Sequence, residues 1–279
     1  MENGLTKIVI TGAAGLVGQN LIVTLKEMGY SQITALDKSA ANLSVLKQLH
    51  PEISAQRVDL AQPGDWVNFL READVLVMLH AQIGGLDADE FHNNNVVATE
   101  LCLEALAANP ACYIVHVSSS VVTSKADDLY TRSKATQEKL VLEARNPSQV
   151  LRPTLMFGWF DRKHFGWLSR FMRKVPVFPI PGDGNYLRQP LFARDFCAVI
   201  ASCIEQRTQS EPVSITGKQI LPYIDIVRTI RDVLHCRTWI LSIPYGLFYG
   251  LLQVYAWFDR DPPFTVFQLE ALVTDELFE

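Results

Sequence analysis

The chain has 279 residues, of which 48% are hydrophobic, 10% aromatic and 20% charged, with a formal net charge of −5. These are the proportions of a globular chain with a sizeable core, and they exclude intrinsic disorder and low-complexity fibres. Acidic and basic residues are interspersed, so no basic face is offered to a phosphate backbone and no nucleic-acid partner is expected.

In chain order, KIVIT at 7–11 is a short β-branched run that stops at a glycine cluster. Leu16, Val17, Leu21, Ile22 and Leu25 then recur at helical spacing. SQITALD, ISAQRVDL, DVLVMLHAQ and CYIVHVSSS read as further strands, and ANLSVLKQL, DWVNFLREA, 93–108 and 127–145 as helices between them. QVLRPTLMFG reads as one more strand. Strands alternating with helices from the first residue predict an α/β fold, a doubly wound parallel Rossmann sheet with helices on both faces. The expected division is a Rossmann domain over 1–157 and a smaller, mixed substrate-binding region over 158–279, from which the chain can cross back to the sheet. Helical segments recur there near 164–174, 193–206, 222–235 and 243–258.

The stretch 239–258, WILSIPYGLFYGLLQVYAWF, carries no charge and has about the length of a membrane span. Pro244, Gln253 and the tyrosines favour a buried or interfacial helix, with contact to a membrane-embedded lipid or partner as the alternative. The five cysteines (Cys102, Cys112, Cys197, Cys203, Cys236) show no CxxC spacing and no Cys/His cluster, so neither a disulfide framework nor a metal site is expected. The N-terminus lacks the apolar core of a signal peptide, which makes the cytoplasm the expected compartment.

TGAAGLVG at 11–18 joins the first strand to the first helix. Gly12 permits a tight turn, Gly15 lets backbone approach a pyrophosphate, and Gly18 lets helix and strand pack closely. With Leu16 and Val17 opening the helix, unpaired N–H groups and a positive dipole end face the phosphates of a dinucleotide. Asp37, at the end of the second strand, can accept both hydroxyls of an adenosine ribose and would repel a 2′-phosphate, which favours NAD over NADP. Lys38 beside it leaves room for NADP. Asp59 stands where a carboxylate could accept from an adenine amino group, with a loop or capping acid as the alternative.

Tyr130 and Lys134 in YTRSK lie four apart and share one helix face. A phenol with an ordinary pKa of about 10 is a poor base at neutrality, and a nearby ammonium together with an oxidised nicotinamide favours its ionised form. The run VHVSSS presents a hydroxyl at the carboxyl edge of the sheet, where open α/β folds bind ligands.

In this order, TGAAGLVG, HAQ at 80–82, NVVAT at 95–99, VSSS, YTRSK and LRPTLMFG resemble the extended short-chain dehydrogenase/reductases. The match is to their NAD-dependent epimerase/dehydratase branch, which works on nucleotide sugars. The resemblance implies a catalytic set of Ser119, Tyr130 and Lys134, with Ser120 as the fallback hydroxyl and as a substrate contact. It also implies that Leu60, His80, Ala81, Gln82, Asn95, Val117 and Pro153 line the cofactor, with core roles for His80 and Pro153 as the alternative. Arg188 in RQPLFARD resembles the arginine that clamps a nucleotide diphosphate, as a planar guanidinium suits bidentate phosphate binding. Family dehydratases place an Asp-Glu pair after the hydroxyl residue; Ser120-Val121 stands there in this chain, which favours epimerisation or simple redox.

The reading that follows is an NAD-dependent nucleotide-sugar epimerase. A dehydrogenase or reductase of a non-nucleotide alcohol or ketone is the first alternative, and a non-catalytic dinucleotide-binding accessory subunit the second. The tail PFTVFQLEALVTDELFE resembles accessory and sugar-modifying relatives alike. The resemblance also implies a homodimer, in which the helices over 93–108 and 127–145 pair across the interface. The first is apolar on more sides than one sheet face can cover, with a deeply buried helix as the alternative.

Overall fold

The computed structural model describes residues 3–124 and 127–258, with side chains described to Gln253; the tail at 263–279 lies outside the described residues. The chain divides into two compact units.

The first unit runs from the N-terminal strand to Thr154 and takes in Gly158–Phe160 and Phe192–Ile215. Its strands are β1 (Ile8–Thr11), β2 (Ile33–Asp37), β3 (Ser54–Arg57), β4 (Val75–Met78), β5 (Tyr113–Val117) and β6 (Ser148–Pro153), followed much later by Val213–Ile215. The sheet order is Val213–Ile215, β6, β5, β4, β1, β2, β3. Every pairing in it is parallel, as in Ile10 opposite both Ala35 and Val77. β1, β4 and β5 are buried along their whole length, the signature of strands covered on both faces. β3, at the edge, is polar and mostly exposed, which blunts an open strand edge.

The intervening helices are α1 (Leu16–Glu27), α2 (Ala40–Leu49), α3 (Val67–Arg71), α4 (Ala88–Phe91), α5 (Ala98–Leu106) and α6 (Leu129–Glu143). α1 buries Val17, Leu21, Ile22 and Leu25. The helix Ala193–Gln206 packs on α1, with the Cys197 thiol 3.5 Å from the Val17 carbonyl. This strand order, with the switch between β1 and β4, is that of a Rossmann fold, and ligands of such sheets bind beyond the carboxyl ends of the strands.

Three elements depart from the sequence-based expectations. The helix expected over 93–108 is α4 and α5 joined by a six-residue π-helical stretch, His92–Val97. Its apolar excess is covered by the unit's own core: Ala98, Cys102, Ala105 and Leu106 are buried, and Leu101 and Leu103 pack against them. QVLRPTLMFG is interrupted after Pro153, and Met156–Phe157 belongs to the second unit. WILSIPYGLFYGLLQVYAWF is a strand, Trp239–Ile243, and a separate helix, Tyr245–Phe258. Pro244 divides them, because proline keeps the residue before it extended, and its carbonyl accepts the N–H groups of Leu247 and Phe248. No described helix is long and apolar enough to cross a membrane.

The second unit comprises Leu155–Phe157, Asp161–Leu191 and the described chain from Thr216. Its core is Leu168, Met172, Phe178, Ile180, Tyr186 and Val227, from the helices Phe165–Met172 and Tyr223–Val233 and the strand Val177–Pro181. That strand pairs in parallel with Trp239–Ile243.

Candidate active site

The turn after β1 is shaped by what a side chain would meet. Gly12 has a φ of +65°, and a Cβ there would stand 2.8 Å from the His80 backbone nitrogen. A Cβ on Gly18 would lie 2.3 Å from the Ala13 carbonyl oxygen, so helix and turn close on each other only without a side chain. At Gly15 a Cβ would stand 3.3 Å from Gly12 O, a tight contact with backbone, so this position too favours glycine. Gly15 is the N-cap of α1 with no side-chain hydrogen bond, and the first turn holds no acid. Leu16 and Val17 therefore begin a twelve-residue helix whose N–H groups are left to an external anion, which suits the pyrophosphate of a dinucleotide.

Asp37 closes onto this turn. Its Oδ2 accepts from Ala14 N at 2.9 Å and its Oδ1 from Ser39 N at 2.8 Å, and a carboxylate retains further lone pairs for hydroxyl donors. The Lys38 ammonium donates to Asn94 Oδ1 at 2.6 Å. Asp59 is exposed and uses Oδ1 to accept from Ala61 N, while Leu60 is buried in the sheet core with Trp66 and Leu70. A core position, rather than a surface one, is where the structure puts Leu60.

The π-helical stretch carries Asn95, fully buried. Its Oδ1 accepts from Gln82 N at 2.6 Å, and its amide donates to the Gln82 carbonyl and, at 2.8 Å, to Ser133 Oγ on α6. Asn95 thus ties the segment after β4, with Ala81 and Gln82 half-buried, to the helix that bears YTRSK. His80 is buried with Nδ1 2.8 Å from Thr11 Oγ1 and Nε2 3.2 Å from Thr99 Oγ1. Burial, and secondarily Lys134, push its imidazole down to about 3, so it is neutral near pH 7.

The hydroxyl run follows β5. Ser119 caps a short turn, its Oγ accepting from Val121 N, and both Ser119 and Ser120 are buried. Asp128 caps α6 through Thr131 N and starts the helix two residues before Tyr130. The Tyr130 phenol and the Ser119 side chain stand close enough to interact. Burial raises the phenol pKa, Ser119 lowers it and Asp128 raises it. The ammonium expected to lower the phenol pKa is directed elsewhere: Lys134 Nζ donates to Val117 O and to Gln137 Oε1, each at 2.8 Å. Burial pushes Lys134 down to about 7, against the pull of Glu138. Glu138 itself is bound in two hydrogen bonds by Arg152 of β6. Pro153 is buried at the end of that strand, and the adjoining Thr154 N donates to Ile215 O.

All expected cofactor and catalytic residues lie in the first unit; Arg188 lies in the second. There it is buried, donates to its neighbour's carbonyl Leu187 O at 2.7 Å, and holds its guanidinium 5.4 Å from the Tyr186 ring, which stacks on Tyr223. Sequence reasoning missed Gln137, Thr99, Thr11 and Ser133, the polar residues that connect the named ones. Gln137 carries a readable signal, since it lies three residues after Lys134 on the same helix face.

A family model described as "NAD dependent epimerase/dehydratase family" matches residues 8–215. Sterol-4-alpha-carboxylate 3-dehydrogenase erg26, decarboxylating, of Schizosaccharomyces pombe is 25% identical over 97% of this chain and 88% of its own length. dTDP-4-dehydrorhamnose reductase of Aggregatibacter actinomycetemcomitans is 22% identical, covering 82% of this chain and 79% of that protein. Among solved structures, UDP-glucuronic acid 4-epimerase of Bacillus cereus in complex with NAD superposes with a TM-score of 0.74 at 22% identity, covering 86% of this chain and 87% of that one. With the family model spanning the whole Rossmann sheet and the Ser119, Tyr130 and Lys134 segments alike, the chain belongs to the NAD-dependent epimerase/dehydratase family of extended short-chain dehydrogenase/reductases.

Proposed function

We propose that the protein is an NAD-dependent enzyme that oxidises and re-reduces a secondary alcohol of a nucleotide sugar, acting as an epimerase. The observation that carries this reading is the pairing of Ser119 with Tyr130 at the carboxyl end of β5, one helical turn from a buried lysine. The family name, the tight glycine turn and the uncapped start of α1 support NAD, whose nicotinamide would supply the hydride acceptor and donor. Gly12, Gly15 and Gly18 would shape the pyrophosphate turn, and Asp37 would take the adenosine ribose hydroxyls.

Tyr130 is the general base that removes the hydroxyl proton from the substrate, and Ser119 holds the same oxygen by a hydrogen bond. Since burial favours the neutral phenol, ionisation waits for a bound positive charge nearby. Lys134, whose amine makes two inward bonds to Val117 O and Gln137 Oε1, would use its remaining hydrogen-bonding direction toward the cofactor's ribose. Arg188, a planar cation on the second unit, is the proposed contact to the substrate diphosphate. A homodimer belongs to the same reading.

A second reading, a dehydrogenase of a non-nucleotide alcohol, is favoured by one observation: the relative spanning 97% of the chain is named a sterol-4-alpha-carboxylate 3-dehydrogenase. Incubation with a panel of UDP-, GDP- and dTDP-sugars separates the two. The epimerase reading expects a C4 epimer without net consumption of NAD, and loss of conversion in Arg188→Ala. Net NADH formation from a sterol or other alcohol, with no conversion of any nucleotide sugar and indifference to Arg188→Ala, overturns it.

A further inference from the structure

Below the catalytic set lies a buried chain of polar side chains that links Lys134 to Thr11 through Gln137, a residue that neither the family motifs nor the proposed mechanism uses. It runs from Lys134 through Gln137 and Thr99 to His80 and Thr11, and every member is buried. Lys134 Nζ donates to Gln137 Oε1, and Gln137 Nε2 donates to Thr99 Oγ1, both at 2.8 Å. Thr99 Oγ1 is also 2.7 Å from Asn95 O and 3.2 Å from His80 Nε2. His80 Nδ1 closes the chain at 2.8 Å from Thr11 Oγ1, one residue before Gly12.

The Asn95 and Thr99 contacts fix the orientation of the Gln137 amide. A threonine hydroxyl has a single proton, and that of Thr99 goes to the Asn95 carbonyl, which can only accept. Thr99 Oγ1 therefore faces its other two neighbours as an acceptor. Gln137 must therefore point its NH2 group at Thr99, where it also lies 3.4 Å from His80 Nε2 and 3.5 Å from His80 O, an acceptor. The amide of Gln137 is then fixed with its oxygen toward Lys134. In the reverse flip the oxygen would face the Thr99 lone pairs in a buried site, and the NH2 group would face the N–H donors of the charged lysine.

We propose that Gln137 is a positioning residue for Lys134. With Thr99 fixing its flip, it holds two of the lysine's hydrogen-bonding directions inward, on itself and on Val117 O, and leaves the third for ligand or proton exchange. A charged ammonium has three protons and a neutral amine two protons and a lone pair, so both forms keep the two inward bonds. Only the outward direction changes when the proton comes and goes. Burial already favours the neutral form. The other titratable groups facing Lys134 are His80 and His116, both held neutral by burial, and Glu138, bound to Arg152. The acceptor set by Gln137 thus offsets part of the cost of burying the charge. That Lys134 serves the reaction rests on the proposed function; the hydrogen-bond assignment does not.

The test is the titration of Lys134 itself in the full chain, followed by the Cε–Hε NMR signal of labelled lysine and assigned by its loss in K134M. Gln137→Met keeps the volume and removes the acceptor, so the midpoint should fall by roughly one pH unit; Gln137→Glu places a charge on the amine and should raise it by at least as much. Thr99→Val, which frees the amide to flip, should move the midpoint in the same direction as Gln137→Met and carries the test if that variant does not fold. An unmoved midpoint in Gln137→Met or Thr99→Val overturns the proposal and leaves Gln137 as packing. Shifted midpoints in a protein that turns over no nucleotide sugar would refute the proposed substrate and keep the positioning role.

Discussion

The Asp37 carboxylate accepts the backbone N–H of Ala14 at 2.9 Å, so the residue that ends β2 is tied to the glycine turn after β1. One side chain thereby fixes the turn and presents its remaining lone pairs where the adenosine ribose would lie. Asp37→Asn should weaken NAD binding by about tenfold, through lost charge-assisted bonds of roughly 1.5 kcal/mol, and narrow the preference for NAD over NADP. Fluorescence titration with both dinucleotides reads both effects, and unchanged affinities for the two would remove Asp37 from the cofactor site.

Gly18 gives a stability prediction that is independent of any ligand. A methyl group there meets the carbonyl carbon and oxygen of Ala13 at 2.6 and 2.3 Å, and backbone cannot swing aside as a side-chain end can. Gly18→Ala should cost about 3 kcal/mol or more, at the upper end of overpacking penalties. Gly29→Ala is a contrasting control: its surroundings are open but its φ is +88°, so strain rather than a clash would destabilise it, by about 1 kcal/mol. Urea unfolding of the two variants should rank them in that order.

Stability should vary with pH in two windows. Lys134 is depressed in the folded chain from 10.5 to about 7, so between those values the unfolded chain binds more protons and stability rises with pH. Below about 7 the cost of the buried charge is fully present. His80 is depressed from 6.5 to about 3, so stability also climbs with pH across that interval and is lost as the solution is acidified through it. Urea midpoints measured against pH should show both rises, and Lys134→Met should flatten the alkaline one alone. A wild-type profile flat from about pH 7 to 9, below the range in which the buried cysteines and tyrosines oppose the rise, would show that Lys134 is not buried as described.

The central fold was legible in the sequence because each of its signals is local. The β1 run, the glycines and the α1 periodicity are contiguous, and strands covered on both faces read as unbroken apolar runs. Tyr130 and Lys134 were legible for the same reason, as neighbours on one turn of helix. The polar chain from Lys134 to Thr11 was not, since Gln137, Thr99, His80 and Thr11 come from four separate segments and meet only in three dimensions. Leu60, expected to line the cofactor, is buried beside Trp66 and Leu70, a packing that the neighbouring residues in the chain do not announce. In the second unit the pairings are short, such as Leu187–Arg188 with Leu221–Pro222, and two-residue strands leave no period to read. The apolar 239–258 stretch misled for a related reason, as composition concealed the break that Pro244 imposes.

The most direct test is hydride transfer by Tyr130→Phe, followed at the nicotinamide absorbance in a single turnover with NAD bound and with whichever substrate the panel identifies. Losing the phenol hydroxyl should slow transfer by about 10²–10⁴-fold, the usual worth of a general base, while NAD affinity stays within about twofold. Turnover at the wild-type rate in that variant would contradict a role for Tyr130 and leave Ser119 and Lys134 without the group they are proposed to serve.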